Sequence, residues 1–316
     1  MKLKLIDYYM IVKQKKFDYI FGGNSMRKRR FKLMLCTLLI TSITGFMMAC
    51  NSGETSEVSG DITISGSSAL LPLMESSIDG FNEKYPNINV NAQAGGSGTG
   101  LTQVVEGTVD IGNSDIFAEE KLDKDKAKEL KDHEVVAQAF AVVVNKELGI
   151  DNLTKDQIKD IFSGKITNWK DICGVDLDIF VIHRPSSSGT RATFTTKILD
   201  GNKELENDSI GATQDSNGAV KKAMEENKGA ISYLGLSYLN SEDAKASLTG
   251  VKINGVSSDK ENITDGSYPF WSWGHMYTKG EPTEGSKDFI EYIQSDDNKD
   301  IVEKLGFISS SDMKVE

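Results

Sequence analysis

The sequence predicts an α/β protein. Three observations point there: from Asp61 onward, short alternating apolar segments are each followed by a segment with apolar residues at steps of three and four. The junctions between them are rich in glycine and hydroxyl residues, and two longer apolar runs, 135–145 and 268–278, are suited to cross between two domains as buried strands. At 316 residues and 38% hydrophobic content, the chain has capacity for two domains of ordinary size.

The first fifty residues are of a different kind. From Met26 the chain reads Arg27-Lys28-Arg29-Arg30-Phe31-Lys32, then an apolar run over 33–48, then Ala49-Cys50. A basic start, a short apolar segment and a small residue before cysteine make a signal peptide over 26–50 with a lipoprotein-type cleavage site, Cys50 taking the lipid. The apolar run has 16 residues, short of the roughly 20 that span a bilayer, so a stop-transfer helix is the weaker reading. Residues 1–25 give this signal no support, and translation is expected to start at Met26; Gly22-Gly23 fits a translated ribosome-binding site. Residues 51–60 are polar and aperiodic, a flexible linker reaching roughly 17 Å as a coil.

Ten Lys/Arg and two Asp/Glu fall in the first fifty residues, leaving 26 basic against 45 acidic residues, a net charge of −19. Such a domain does not bind nucleic acid through its overall field, and it must hold any anion with local dipoles and one or two cations. With Cys36 in the signal and Cys50 lipidated, Cys173 stands alone, so no disulfide within the mature chain and no cysteine metal site is expected. His133, His183 and His275 are far apart in sequence and read as structural or surface residues; no metal and no cofactor is expected.

Residues 61–64 form the first strand. It runs into Ser65-Gly66-Ser67-Ser68-Ala69, after which Leu70, Met74, Ile78, Phe81 and Tyr85 mark one face of a helix stopped by Pro86. Pro72 is tolerated in its first turn. Ile88, Val90, Ala92 and Ala94 alternate as a second strand, which leads through Gly95-Gly96-Ser97-Gly98-Thr99-Gly100 into a helix closed by Gly107. Gly95 and Gly100 have Walker spacing, but Leu101-Thr102 stands where Lys-Ser/Thr is required, and Leu101 also spoils GxGxxG. What survives is close backbone approach to an anion, with Ser97 as hydroxyl donor. Residues 109–115 make a short strand with Asp115 near its carboxyl end, a usual place for a cap or turn aspartate. Residues 121–132 are charged and read as a solvated helix.

In the second half, Thr154 with Gln157 makes a capping box for a helix ending near Ser163-Gly164. Leu177, Ile179 and Val181 alternate as a strand that delivers Arg184-Pro185-Ser186-Ser187-Ser188-Gly189-Thr190-Arg191 to the start of a helix over 190–199. The first N–H groups of a helix lack internal partners and sit at the positive end of its dipole, which suits an oxyanion. Arg184 adds a planar fork of donors, and Ser188 and Thr190 add hydroxyls. An ordinary N-cap beside a surface arginine would look the same here, but two further loops of this kind weaken that alternative. Arg191, one turn into the helix, is expected to point at solvent or the opposite lobe. A helix over 217–227, a strand over 231–234 and two closing helices with Phe289, Ile290, Ile293 and Ile301, Val302, Leu305 complete the chain. In such folds ligands bind at the carboxyl ends of the strands.

In order and spacing, these motifs resemble the phosphate-binding lipoprotein of bacterial phosphate ABC importers, the PstS family. The resemblance covers nearly all of the mature chain. Its most specific parts are 66–72, 95–100, Asp110-Ile111-Gly112-Asn113-Ser114-Asp115 and 184–191, with further similarity over 153–169 and in Tyr277-Thr278-Lys279-Gly280-Glu281-Pro282. It implies a two-lobed periplasmic-binding-protein-like fold of type II, with the ligand in the cleft between lobes: 61–139 and 270–316 in lobe 1, 140–269 in lobe 2. The implied phosphate contacts are Ser68 with the Ala69 amide, Ser97, Asp115, Arg184, Ser188, Gly189 and Thr190. The implied role is capture of inorganic phosphate outside the cell and delivery to membrane permease subunits, by a monomer lipid-anchored to the outer face of the membrane, without catalysis. Two departures stand out. Ser186 replaces an aspartate that in some relatives pairs with the arginine, and Tyr268-Pro269-Phe270-Trp271-Ser272-Trp273 is unusual in composition.

Three other readings compete with this one. A receptor for sulfate, molybdate or tungstate is disfavoured by Asp115. A hydrolase using Ser68, Ser97 or Ser188 needs a base within reach, which three scattered histidines without GxSxG do not promise. A structural lipoprotein would need no convergent polar site.

Overall fold

The computed structural model describes residues 59–315. The expected extension, the signal peptide, Cys50 and the linker as far as residue 58 lie outside the described residues.

Alternation of strand and helix signals gives parallel pairing, because each helix returns the chain to the same end of the sheet. In the first half β1 (Gly60–Gly66), α1 (Leu71–Lys84), β2 (Ile88–Ala94), α2 (Ser97–Glu106) and β3 (Ile111–Ser114) follow that rule, β1 lying parallel between β2 and β3. Gly107 closes α2 in the left-handed conformation, φ 72°. The second half repeats the pattern. Here α3 (Lys155–Phe162), β5 (Phe180–His183), α4 (Gly189–Lys197), β6 (Ala212–Thr213), α5 (Asn217–Glu226) and β7 (Ala230–Gly235) place β5 parallel between β7 and β6.

Two long strands join the halves. One is β4 (Leu130–Asn145), buried without a break from Val135 to Asn145, and the other is β9 (Trp271–Lys279). A strand covered on both faces reads as a continuous apolar run, which is why these segments stood out in the sequence. Along its first part β4 pairs antiparallel with β9; from Phe140 to Val144 it pairs with β7, and Val143–Asn145 also meets β8 (Leu248–Gly250). The closing helices α6 (Glu284–Gln294) and α7 (Lys299–Lys304) precede a short strand, β10 (Ile308–Ser309), which returns to β4.

The described residues form two large apolar cores and a smaller third one around Leu101, Val104, Ile116 and Tyr277. Ile62, Ile64, Leu73, Phe81, Ile111, Val136 and Phe289 belong to the first large core, and Phe140, Phe162, Phe194, Tyr233 and Phe270 to the second. The unusual 268–273 segment anchors β9 in the second core: the Tyr268 hydroxyl donates to the Phe140 carbonyl (2.7 Å), and the Phe270 ring lies 5.2 Å from Phe140 and 5.7 Å from Phe194.

Two expectations are corrected. Residues 121–132 form no continuous helix: one turn, Lys124–Ala127, gives way to β4 at Leu130, because Lys131 and Asp132 pair with Thr278 and Tyr277 of β9. Tertiary pairing overrides the helix propensity of a lysine- and aspartate-rich stretch. The strand leading to Arg184 starts at Phe180 rather than Leu177; Leu177 and Ile179 are half-buried against the second core, joined to residues 167–169 by backbone hydrogen bonds.

Candidate functional site

Four loops, each at the carboxyl end of a strand or the start of a helix, converge. From β1 come Ser67, Ser68 and Ala69; from the start of α2, Ser97; after β3, Asp115; after β5, Arg184 and the 188–190 opening of α4. Ser68, Ala69, Ser97, Asp115, Arg184, Ser188 and Thr190 are each at most 2% exposed, and Gly189 is buried with them.

Asp115 is fully buried and heavily solvated by protein. The Ser67 hydroxyl makes a close hydrogen bond to it, Gln138 Nε2 donates at 2.8 Å to the same oxygen, and Thr190 Oγ1 lies 3.1 Å from the other. Its own amide donates to Ser97 Oγ at 2.9 Å. Burial pushes the carboxyl above its usual range, opposed by these hydrogen bonds and by the nearby Arg184 charge. A carboxylate has about four acceptor sites, so three donors leave one unused.

Arg184 compensates for the missing partner at Ser186 in an unexpected way. Its guanidinium bonds to backbone carbonyls, Nε to Gln214 (3.0 Å) and Nη2 to Asp215 (3.1 Å), with Ser68 Oγ at 3.3 Å from Nη2. Among the described residues no carboxylate lies within ion-pair distance of it, and its buried Nη1 has no protein partner. Burial pulls its pKa down from the usual value, yet a guanidinium stays charged at any physiological pH.

The remaining expected residues lie around this pair. Ser188 caps α4, its Oγ accepting from the Arg191 amide at 3.2 Å. The Ala69 amide is engaged by Ser67 Oγ at 3.0 Å. A Cβ on Gly189 would overlap Ser97 Oγ and come within 2.9 Å of Asp115 Cβ, so only glycine lets α4 approach the opposite loops. The two sides also touch directly: Gly98 N donates to the Ser187 carbonyl (2.9 Å) and Lys121 Nζ to the Ser186 carbonyl (3.0 Å). A cavity of about 380 Å³ adjoins Asp115, walled by Phe117, Lys197, Trp271, Trp273 and His275 among others.

Three site residues were missed from sequence: Ser67, Gln138 and Asn217. Asn217, fully buried, gives its amide N–H and side-chain Nδ2 to Ser68 Oγ (3.1 and 3.0 Å) while Oδ1 accepts from Gly235 N (2.9 Å). It stands at the opening of α5, another strand-to-helix junction, which was the available signal. Arg191 also departs from expectation. It folds back, Nη1 donating to the Arg184 carbonyl at 2.5 Å, and pairs with Glu206 and Asp208.

This arrangement, two parallel half-sheets linked by crossing strands with helix starts converging between them, defines a two-lobed solute-binding protein. A sequence profile described as a PBP superfamily domain matches residues 51–297. The chain is 44% identical over 303 residues to the phosphate-binding protein PstS of Bacillus subtilis (strain 168), covering 92% of this chain and 97% of the relative. Among solved structures, a phosphate ABC transporter substrate-binding protein with bound phosphate from Clostridium perfringens superposes with TM-score 0.72 at 32% identity, over 79% of this chain and 99% of that one. An ABC-type phosphate transport receptor from Vibrio cholerae gives TM-score 0.61 at 25% identity, over 78% and 99%. The chain belongs to the PstS family of phosphate-binding proteins.

Proposed function

We propose that this protein captures inorganic phosphate outside the membrane and delivers it to the permease of an ABC importer, without catalysing a reaction. The observation that most supports this is Arg184: a buried guanidinium with no carboxylate partner among the described residues, one unpaired nitrogen and hydroxyl groups around it. Burying a charge without compensation costs several kcal/mol, and a tetrahedral oxyanion supplies the compensation. In this reading Ser68 with the Ala69 amide, Ser97, Ser188, Gly189 and Thr190 hold the remaining oxygens, and Asp115 accepts the P–OH. Saturating phosphate should therefore raise the thermal midpoint, by about 2.7 kcal/mol of stability at a hundredfold excess over Kd. Equal sulfate should leave it unchanged; no shift with phosphate would sink the reading.

Lobe 1 comprises 61–139 and 270–316, lobe 2 comprises 140–269, and the crossing strands act as the hinge. Gly189→Ala places a methyl between α4 and the Ser97 and Asp115 loops, so it should hold the lobes apart. Small-angle scattering should then register compaction with phosphate in the parent and none in the variant; equal compaction would contradict this role for Gly189.

The anchor is Cys50, with translation from Met26 and cleavage after Ala49, leaving a monomeric domain tethered to the outer face of the membrane by a short linker. Mass spectrometry of the native protein should find a lipidated Cys50 at the N-terminus. A peptide from residues 1–25, or unmodified Cys50 still joined to Ala49, would rule this out.

A further inference from the structure

Behind the loop that holds Arg184 lies a buried polar cluster that meets the site only through the backbone of that loop. One oxygen of Glu206, a fully buried side chain, accepts from the Tyr233 hydroxyl at 2.8 Å and lies 3.1 Å from His183 Nδ1. The other oxygen is 3.2 Å from Arg191 Nε, an ion pair whose N–H is not aligned as a hydrogen bond. Arg191 in turn holds the Arg184 carbonyl at 2.5 Å, and the exposed Asp208 closes its outer edge at 2.9 Å. His183, next to Arg184 in the chain, has Nε2 2.9 Å from the Ile210 carbonyl and is fully buried under the Phe162 ring.

Both partners of the His183 ring, a carboxylate and a carbonyl, are acceptors. A neutral imidazole has one N–H, so it satisfies one and turns a lone pair on the other. Both contacts form together only when the His183–Glu206 pair holds one proton more than a neutral ring beside a carboxylate. With that proton the groups facing one another, His183, Glu206, Arg191 and Asp208, balance in charge, and Tyr233 supplies a neutral donor. His183, Glu206 and Asp208 are also spaced to hold a metal ion, but the Arg191 guanidinium already lies against both carboxylates and fills that cationic position.

We propose that Glu206 is a positioning residue for the anion site: through Arg191 and protonated His183 it fixes the backbone at 183–184 and thereby aims the Arg184 guanidinium. The inference rests on the cleft being the phosphate site. Phosphate affinity is then coupled to the shared proton, falling when His183 gives it up.

The test uses calorimetric titration with inorganic phosphate on the parent, Glu206→Gln and His183→Gln. Glutamine at 206 keeps the shape and loses the charge; glutamine at 183 offers one donor and one acceptor, as a neutral ring does. Glu206→Gln should bind phosphate about tenfold or more weakly while still melting cooperatively. The affinity ratio of parent to His183→Gln, in which the ionisation of phosphate itself cancels, should be about tenfold where the shared proton is held and shrink toward one as rising pH removes it. A purely structural histidine would give a constant ratio, and that result overturns the proposal. So does a folded Glu206→Gln protein binding within about threefold of the parent; if that variant does not fold, the His183→Gln ratio decides. Failure of the parent itself to bind phosphate removes the functional reading and this inference with it.

Discussion

Arg184→Ala should weaken phosphate binding by roughly 2 to 5 kcal/mol, the range for truncating one member of a buried charged pair. The size follows from how the side chain is held. Its carbonyl partners at Gln214 and Asp215 fix direction but carry no net charge, so the guanidinium gains a contacting counter-charge only when an anion arrives. A lysine at 184 should not restore affinity, because a point charge lacks the fork that spans two carbonyls and the ligand. Loss of the charge should cost the ligand-free protein far less than it costs the complex, since it also removes a buried, unpaired ion. Titration of the variant checks this; affinity within about threefold of the parent means that the 184–191 loop is not the site.

The second large effect concerns selectivity. As a carboxylate surrounded by donors, Asp115 can only accept hydrogen bonds. Phosphate near neutral pH keeps at least one P–OH to offer its remaining acceptor position, whereas sulfate is fully deprotonated and presents oxygen to oxygen. In a buried site that repulsion is poorly screened, so the carboxylate acts mainly by penalising the competitor. Asp115→Asn supplies an amide that donates to sulfate and an oxygen that still accepts from phosphate. Sulfate should gain on the order of 1 to 3 kcal/mol, the cost of a buried unpaired polar group, while phosphate binding persists. A competition titration measures the change; a variant that excludes sulfate as strongly as the parent would move selectivity elsewhere.

The same substitution has a stability signature. Because burial raises the Asp115 carboxyl above its ordinary 3.8, the folded chain binds that proton more tightly than the unfolded chain. The charged form therefore burdens the folded state at pH values above the raised pKa, and the burden fades as pH falls through it toward 3.8. Ligand-free Asp115→Asn should accordingly gain stability relative to the parent as pH rises through that raised pKa, and lose the gain on acidification.

Local signals were the legible ones. The capping box at Thr154 and Gln157 forms both of its hydrogen bonds (3.1 and 2.9 Å), and the hydroxyl- and glycine-rich junctions at 65–69, 95–100 and 184–191 do converge. What stayed hidden depends on partners distant in sequence. Gln138 reaches Asp115 only because β4 crosses between the lobes, and its place within an apolar run gave no hint of a polar role. Arg191 turns inward because Glu206 and Asp208, on a loop of no marked periodicity, lie behind α4. The 121–132 stretch has helix-forming composition, and only the pairing of β4 with β9 decides its fate.

The most direct test of the central claim is calorimetric titration of the dialysed parent protein at neutral pH with phosphate, sulfate and molybdate in turn. Phosphate should bind one per chain with saturable heat, and sulfate and molybdate should give none. Absence of phosphate binding, or sulfate bound as tightly as phosphate, would contradict a closed site built from Arg184 and Asp115 for a protonated oxyanion.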